Sequence, residues 1–386
     1  MIMKKAISGA RIFDGESLLE GRALVFSSAG IEAIVSARHI PDECEIIPAD
    51  GQILAPGLID LQVNGGGGLL FNNAPDLEGL RTICAAQIRS GVTALLPTLI
   101  TDRPDVVRAA VEAGKAAWEA GIPGYLGLHL EGPHLSLARK GTHDPALIRP
   151  MEAEDCDFLV ENAGSFGVGL LTVAPENVTR QQVARLSKAG YIVSLGHTDA
   201  ACAVAREYRF AGASMATHLF NAMSPLGHRE PGMVGAVLGD GGFSCGLIAD
   251  GYHVDPVAMG IALRAKAGPG KIFLVSDAMS VTGTDLQSFE LNGRTIYRKD
   301  GRLTLADGTL AGADTDLLTC VKNVRDMLGV PLEEALRMAS LYPAEAVGAR
   351  SKGRLKSGAD ADFVLLSEDL ALAASYIAGE RVYSAD

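Results

Sequence analysis

From about Pro56 to Gly348 the chain alternates short, continuous apolar runs with longer, alanine-rich amphipathic stretches. A short continuous apolar run suits a strand buried on both faces, and stretches such as Val106–Ala120 and Gln181–Ala189 carry the helical period. Strand then helix, repeated many times, argues for a parallel sheet with crossover helices. Eight runs qualify as strands: Leu58–Val63, Val92–Pro97, Tyr125–Leu130, Val168–Ala174, Tyr191–Gly196, Ser214–Leu219, Cys245–Ala249 and Lys271–Ser276. A closed eightfold barrel takes roughly 250 residues plus insertions. The expected fold class is therefore α/β, a (β/α)8 TIM-like barrel over residues 56–349.

The two ends read differently. Residues 1–55 give short strands at Ala6–Phe13, Ala23–Ser27, Ile31–Val35 and Glu45–Pro48, separated by turn signals such as Asp14-Gly15. The C-terminal stretch, with Phe363–Leu366 and Arg381–Tyr383, has the same character. Residues 1–55 plus 350–386 are expected to form one small β-sandwich domain around the central insertion. Asn292-Gly293 and Asp300-Gly301 are hairpin turn signals, so a β-ribbon is expected to interrupt the barrel near 289–305.

Composition removes several classes of function. A formal net charge of -12 without a basic run argues against nucleic acid or an anionic membrane as partner. No apolar stretch approaches the roughly 20 residues a bilayer span needs, and no signal-peptide core follows Met1. Six scattered cysteines without a Cys-x-x-Cys pair read as reduced thiols, so the expected location is cytoplasmic.

Four strands end in chemistry. The third ends at Glu131, the fifth leads to His197, the sixth carries His218 and the eighth leads to Asp277. The C-terminal tips of barrel strands form the reactive face. Two imidazoles and a carboxylate make a protein ligand set that leaves zinc an open position for water. Bound water becomes acidic enough to serve as a nucleophile near neutral pH, and a neighbouring carboxylate, Asp277, is placed to take its proton. Taken singly, each residue has a plainer reading. Glu131 suits a barrel-top ion pair, His197 or His218 a hydrogen-bonded core position, and Asp277 a helix cap. The joint pattern favours chemistry.

Pro56-Gly57-Leu58-Ile59-Asp60 after a small β unit, with these strand-tip residues, resembles the amidohydrolase superfamily. His129-Leu130-Glu131-Gly132-Pro133, Gly196-His197-Thr198, Thr217-His218-Leu219-Phe220-Asn221-Ala222-Met223, Arg229-Glu230-Pro231-Gly232, Ala249-Asp250-Gly251-Tyr252-His253-Val254 and Ser276-Asp277-Ala278 together resemble the N-acetylglucosamine-6-phosphate deacetylase family. The likeness covers almost the whole chain. It implies hydrolysis of the acetamide of N-acetyl-D-glucosamine 6-phosphate to D-glucosamine 6-phosphate and acetate.

The resemblance also implies site roles. Thr142, His143, Asn221, Ala222, Arg229, His253, Leu310, Ala311 and Gly312 are expected to contact a phosphosugar, with Arg229 presenting a planar fork to the phosphate. The Arg229 loop of relatives reaches a neighbouring subunit's site, which implies a homodimer or a dimer of dimers. Many superfamily members have His-x-His at the tip of strand one. Here Gln62-Val63-Asn64 stands there, and amides are poor zinc ligands. One divalent ion per subunit is therefore expected, zinc first, on Glu131, His197 and His218. Asp60 and Asn64 default to backbone and loop hydrogen bonds, and His129 has room to face the barrel interior. Deacetylation of the N-acetylgalactosamine epimer stays open, as does a non-catalytic scaffold. A lysine-dependent isomerase or aldolase fits less well, since no strand tip carries Lys.

Overall fold

The computed structural model describes residues 3–385. Eight parallel strands form the central sheet in sequential order: β1 Leu58–Val63, β2 Val92–Ile100, β3 Gly127–Glu131, β4 Val168–Val173, β5 Ile192–Leu195, β6 Ala213–Ala216, β7 Ser244–Leu247 and β8 Ile272–Leu274. All eight expected runs form these strands. Every residue of β2 is buried, as a strand covered on both faces requires. The barrel closes just past the ends of β8 and β1. Asp277 donates its N–H to Gln62 O at 3.0 Å, and Asn64 donates to Ala278 O at 2.8 Å. Asp60, fully buried in β1, accepts the N–H groups of Gln62 and Ser276 at 3.2–3.3 Å and so staples the same seam.

The helices begin and end on local chemistry. Asp76 caps Leu77–Ile88 by accepting the Gly79 N–H at 2.8 Å. Thr179 and Gln182 form a reciprocal capping box at the start of Arg180–Ala189, which ends at left-handed Gly190. Pro104 opens Pro104–Glu119, where its missing N–H costs nothing. No described helix is long and apolar enough to cross a membrane.

The termini build two sheets. One orders Gly30–Ser36, Arg22–Ser27, Lys5–Ser8 and Glu45–Pro48. The other runs from Glu380–Ser384 through Leu372–Ile377 and Phe363–Leu366 to Ile53–Pro56, Arg11–Phe13 and Leu18–Leu19. Their shared core includes Ile7, Leu24, Phe26, Leu54, Phe363 and Tyr376, a sandwich made from both ends of the chain. The run expected as one strand, Ala6–Phe13, is two. It bends at Gly9 (φ 93°), where a Cβ would lie 2.3 Å from Asp50 Oδ1, and passes from one sheet to the other.

The inserted ribbon has four strands: Ser288–Leu291, Arg294–Lys299, Arg302–Thr304 and Leu310–Ala313. Asn292, Gly293, Asp300 and Gly301 all have positive φ, the backbone of type I′ hairpin turns. Leu291, Ile296, Leu303 and Ala311 share a small core with Leu70, Ile100, Met279 and Val281, which seats the ribbon on the barrel rim.

Candidate active site

Glu131 is the last residue of β3; His197, His218 and Asp277 follow the ends of β5, β6 and β8 by a few residues. All four line one cavity of about 250 Å³ and are buried. His197 (φ 51°), His218 (φ 29°) and Asp277 (φ 53°) have left-handed backbones. That conformation costs a non-glycine residue on the order of 1–3 kcal/mol and persists where surrounding structure over-determines it, commonly at functional sites.

Glu131 Oε1 meets both imidazoles, His218 Nε2 at 3.1 Å and His197 Nε2 at 3.4 Å. Burial would raise the Glu131 carboxyl, but hydrogen bonds and charge from the two histidines hold it well below its ordinary value. Burial opposes charge on His218 too, yet its bond to Glu131 prevails and raises its pKa. His197 is oriented from behind, where its Nδ1 donates to Arg139 O at 2.8 Å. His218 Nδ1 is buried without a hydrogen-bond partner. Asp277 is pushed up to about 6, first by burial and then by the Glu131 charge.

This donor set fits a divalent ion. Carboxylate and imidazole are its chemistry, and the two Nε2 atoms converge on one carboxylate oxygen beside open cavity. His143 belongs to the neighbourhood as well. Donor atoms of Glu131, His143 and His197 lie within 4.8 Å of one another. Its ring stands edge-on to His197 with centroids 4.4 Å apart, and its Nδ1 bonds Thr101 Oγ1 at 2.7 Å. Burial, then the charge of His197, lowers His143 to about 3.

The structure also brings Thr142, Asn221, Ala222, His253, Leu310 and Gly312 to the cavity. His253 Nδ1 is held by Asp250 Oδ2 at 2.6 Å. Two expected contacts are not brought there. Ala311 points away into the ribbon's small core, because adjacent residues of a strand face opposite sides. Arg229 is exposed and does not line the cavity of its own chain.

Asn64, expected to bond a loop, does so at a residue of the site: its amide donates to Asp277 Oδ1 at 2.6 Å, in the segment after β8. Gln62 donates to Glu131 Oε2 at 3.3 Å. Thr101, which holds His143, carries no role in the sequence reading; its signal is a polar residue directly after the buried strand β2. His129 does face the barrel interior, but both ring nitrogens are engaged, by Thr98 Oγ1 at 3.2 Å and Thr172 Oγ1 at 2.7 Å. Burial lowers it to about 4.

A parallel eight-stranded barrel whose C-terminal face gathers imidazoles around a buried carboxylate is built as a metal-assisted hydrolase. Residues 53–382 match the amidohydrolase family, and the chain belongs to that family of metal-dependent hydrolases. Within it, the chain groups with deacetylases of N-acetylated amino-sugar phosphates. N-acetylgalactosamine-6-phosphate deacetylase of Shewanella sp. (strain ANA-3) is 40% identical over 381 residues, covering 98% of this chain and 96% of that protein. N-acetylglucosamine-6-phosphate deacetylase of Haemophilus influenzae is 36% identical over 382 residues, covering 98% and 99%. The crystal structure of N-acetylglucosamine-6-phosphate deacetylase from Pasteurella multocida superposes with a TM-score of 0.94 at 36% identity, covering 98% of this chain and 99% of that one.

Proposed function

We propose that this protein hydrolyses the acetamide of N-acetyl-D-glucosamine 6-phosphate, releasing acetate and D-glucosamine 6-phosphate. The observation that carries the reading is the shared cavity, in which Asp277, held by Asn64, faces the cluster of Glu131, His197 and His218. Glu131, His197 and His218 would hold one divalent ion, zinc first. When bound, that ion supplies Lewis acidity, acidifying water and polarising the acyl oxygen. Asp277 accepts the proton of the attacking water and returns it to the amine nitrogen as the C–N bond breaks. The Asn64 amide keeps Oδ1 engaged, which leaves Oδ2 for that proton. His143 and His253 line the same cavity and would contact the acetamide and the sugar. Asn221 and Ala222 at the mouth would receive the phosphate, joined by Arg229 from a neighbouring subunit in a homodimer or dimer of dimers. A cytoplasmic location suits a phosphorylated substrate.

The second reading is the epimer, N-acetyl-D-galactosamine 6-phosphate. It is favoured by the relative at 40% identity, which is named for that substrate. Acetate release from both sugars, measured with wild type and Asp277→Asn and with metal content determined for each, tests both readings. Turnover of one epimer by wild type, with loss of nearly all activity in a metal-loaded Asp277→Asn, supports the assignment. Metal-loaded wild type that releases acetate from neither sugar overturns it.

A further inference from the structure

The loop after β3 brings Thr142 and His143 to the cavity. Among the described residues, only two hydrogen bonds tie residues 140–144 to the rest of the protein. One joins His143 Nδ1 to Thr101 Oγ1 at 2.7 Å, and the other runs from the Arg294 guanidinium to the Thr142 carbonyl. The remaining bonds are internal to the loop or reach its next residues, such as His143 N–H to Lys140 O at 3.0 Å. Gly141 lies against His197, since a Cβ there would come 3.1 Å from the ring. So thin a strip has little of its own to hold it in place.

Arg294 is placed by the ribbon. It follows the Asn292-Gly293 turn and opens the second ribbon strand. The ribbon is no free arm, because Leu291, Ile296, Leu303 and Ala311 anchor it to the barrel rim. Its last strand supplies Leu310 and Gly312 to the cavity. One anchored sheet therefore builds part of the cavity wall and, through Arg294, grips the loop that builds another part.

We propose that Arg294 is a positioning residue for substrate binding: by holding the Thr142 carbonyl it keeps the 140–144 loop, and His143 with it, closed on the site. The substrate named in the test rests on the deacetylase reading; the clasp itself does not. Arg294 touches no reacting atom, so its loss weakens binding and spares the chemical step.

The test uses the metal-loaded enzyme with Arg294→Ala and Arg294→Lys. Steady-state kinetics are measured on the better 6-phosphate epimer. Native-state trypsin cleavage after Lys140 is followed by mass spectrometry of the fragment that starts at Gly141. Loss of one charge-assisted hydrogen bond predicts that Arg294→Ala raises KM about tenfold, with kcat within about twofold of wild type. Cleavage after Lys140 should accelerate by a similar factor, because proteolysis follows the opened population. Arg294→Lys, which keeps a donor, should fall between. Unchanged cleavage in Arg294→Ala, whatever its KM, overturns the proposal, as does a fall in kcat at constant KM. Wild type inactive on both epimers sinks the deacetylase reading alone, and the trypsin measurement then still decides the clasp.

Discussion

Asn64 and Asp277 are 213 residues apart in sequence, yet the Asn64 amide donates to Asp277 Oδ1 at 2.6 Å. The bond spans the seam where β1 meets β8, so closing the barrel and orienting the carboxylate are one event. Replacing Asn64 by Ala should lower kcat about tenfold to a hundredfold, the range set by losing a hydrogen bond to a charged group. Metal content should stay at the wild-type level. A kcat within about twofold of wild type would show that Asp277 is aimed without this bond.

The cluster offers two ways to assemble three donors, with His218 or with His143. Metal content after dialysis separates them. His218→Ala should lose nearly all bound metal, and His143→Ala should keep it while KM rises. The opposite pattern would place the ion on Glu131, His143 and His197.

Asp60 makes stability depend on pH. Burial raises its carboxyl to about 7, against ~3.9 in an unfolded chain. Between those values the folded protein holds a proton that the unfolded chain releases. The contribution is therefore fully present below about pH 4 and is lost as pH rises through about 7. Asp60→Asn removes this dependence. From pH 5 to pH 8, urea unfolding should show the variant gaining on wild type, by at most about 1.4 kcal/mol per pH unit. Parallel stability profiles for the two proteins would mean Asp60 is ionised throughout.

Phe363 stacks on Tyr376 at 4.6 Å and stands edge-on to Phe26 at 4.9 Å, in the sandwich core. Phe363→Ala should cost about 3–5 kcal/mol, read as a lower melting temperature. The folded variant should keep its kcat, since these rings belong to a core separate from that of the barrel. A folded variant with reduced kcat would tie the sandwich to the chemistry.

The chain by itself determined the barrel and the identity of its polar strand tips. Largely apolar runs such as Val92–Pro97 need no distant partner to declare a buried strand, and Glu131 ends such a run in plain view. The I′ turns at Asn292-Gly293 and Asp300-Gly301 are equally local, set by residues that tolerate positive φ. Only the tertiary structure decided which polar side chains meet. Asn64 and Gln62 are neutral amides; Asp277 reaches Asn64 across the β8–β1 seam, and Glu131 reaches Gln62 from two strands away on β3. Ala311 and its neighbour Gly312 face opposite sides of a strand, and which side meets the cavity depends on how the ribbon seats on the rim. Periodicity along a chain reports what a segment buries; the partner of a polar group is set by the packing of segments far apart in the chain.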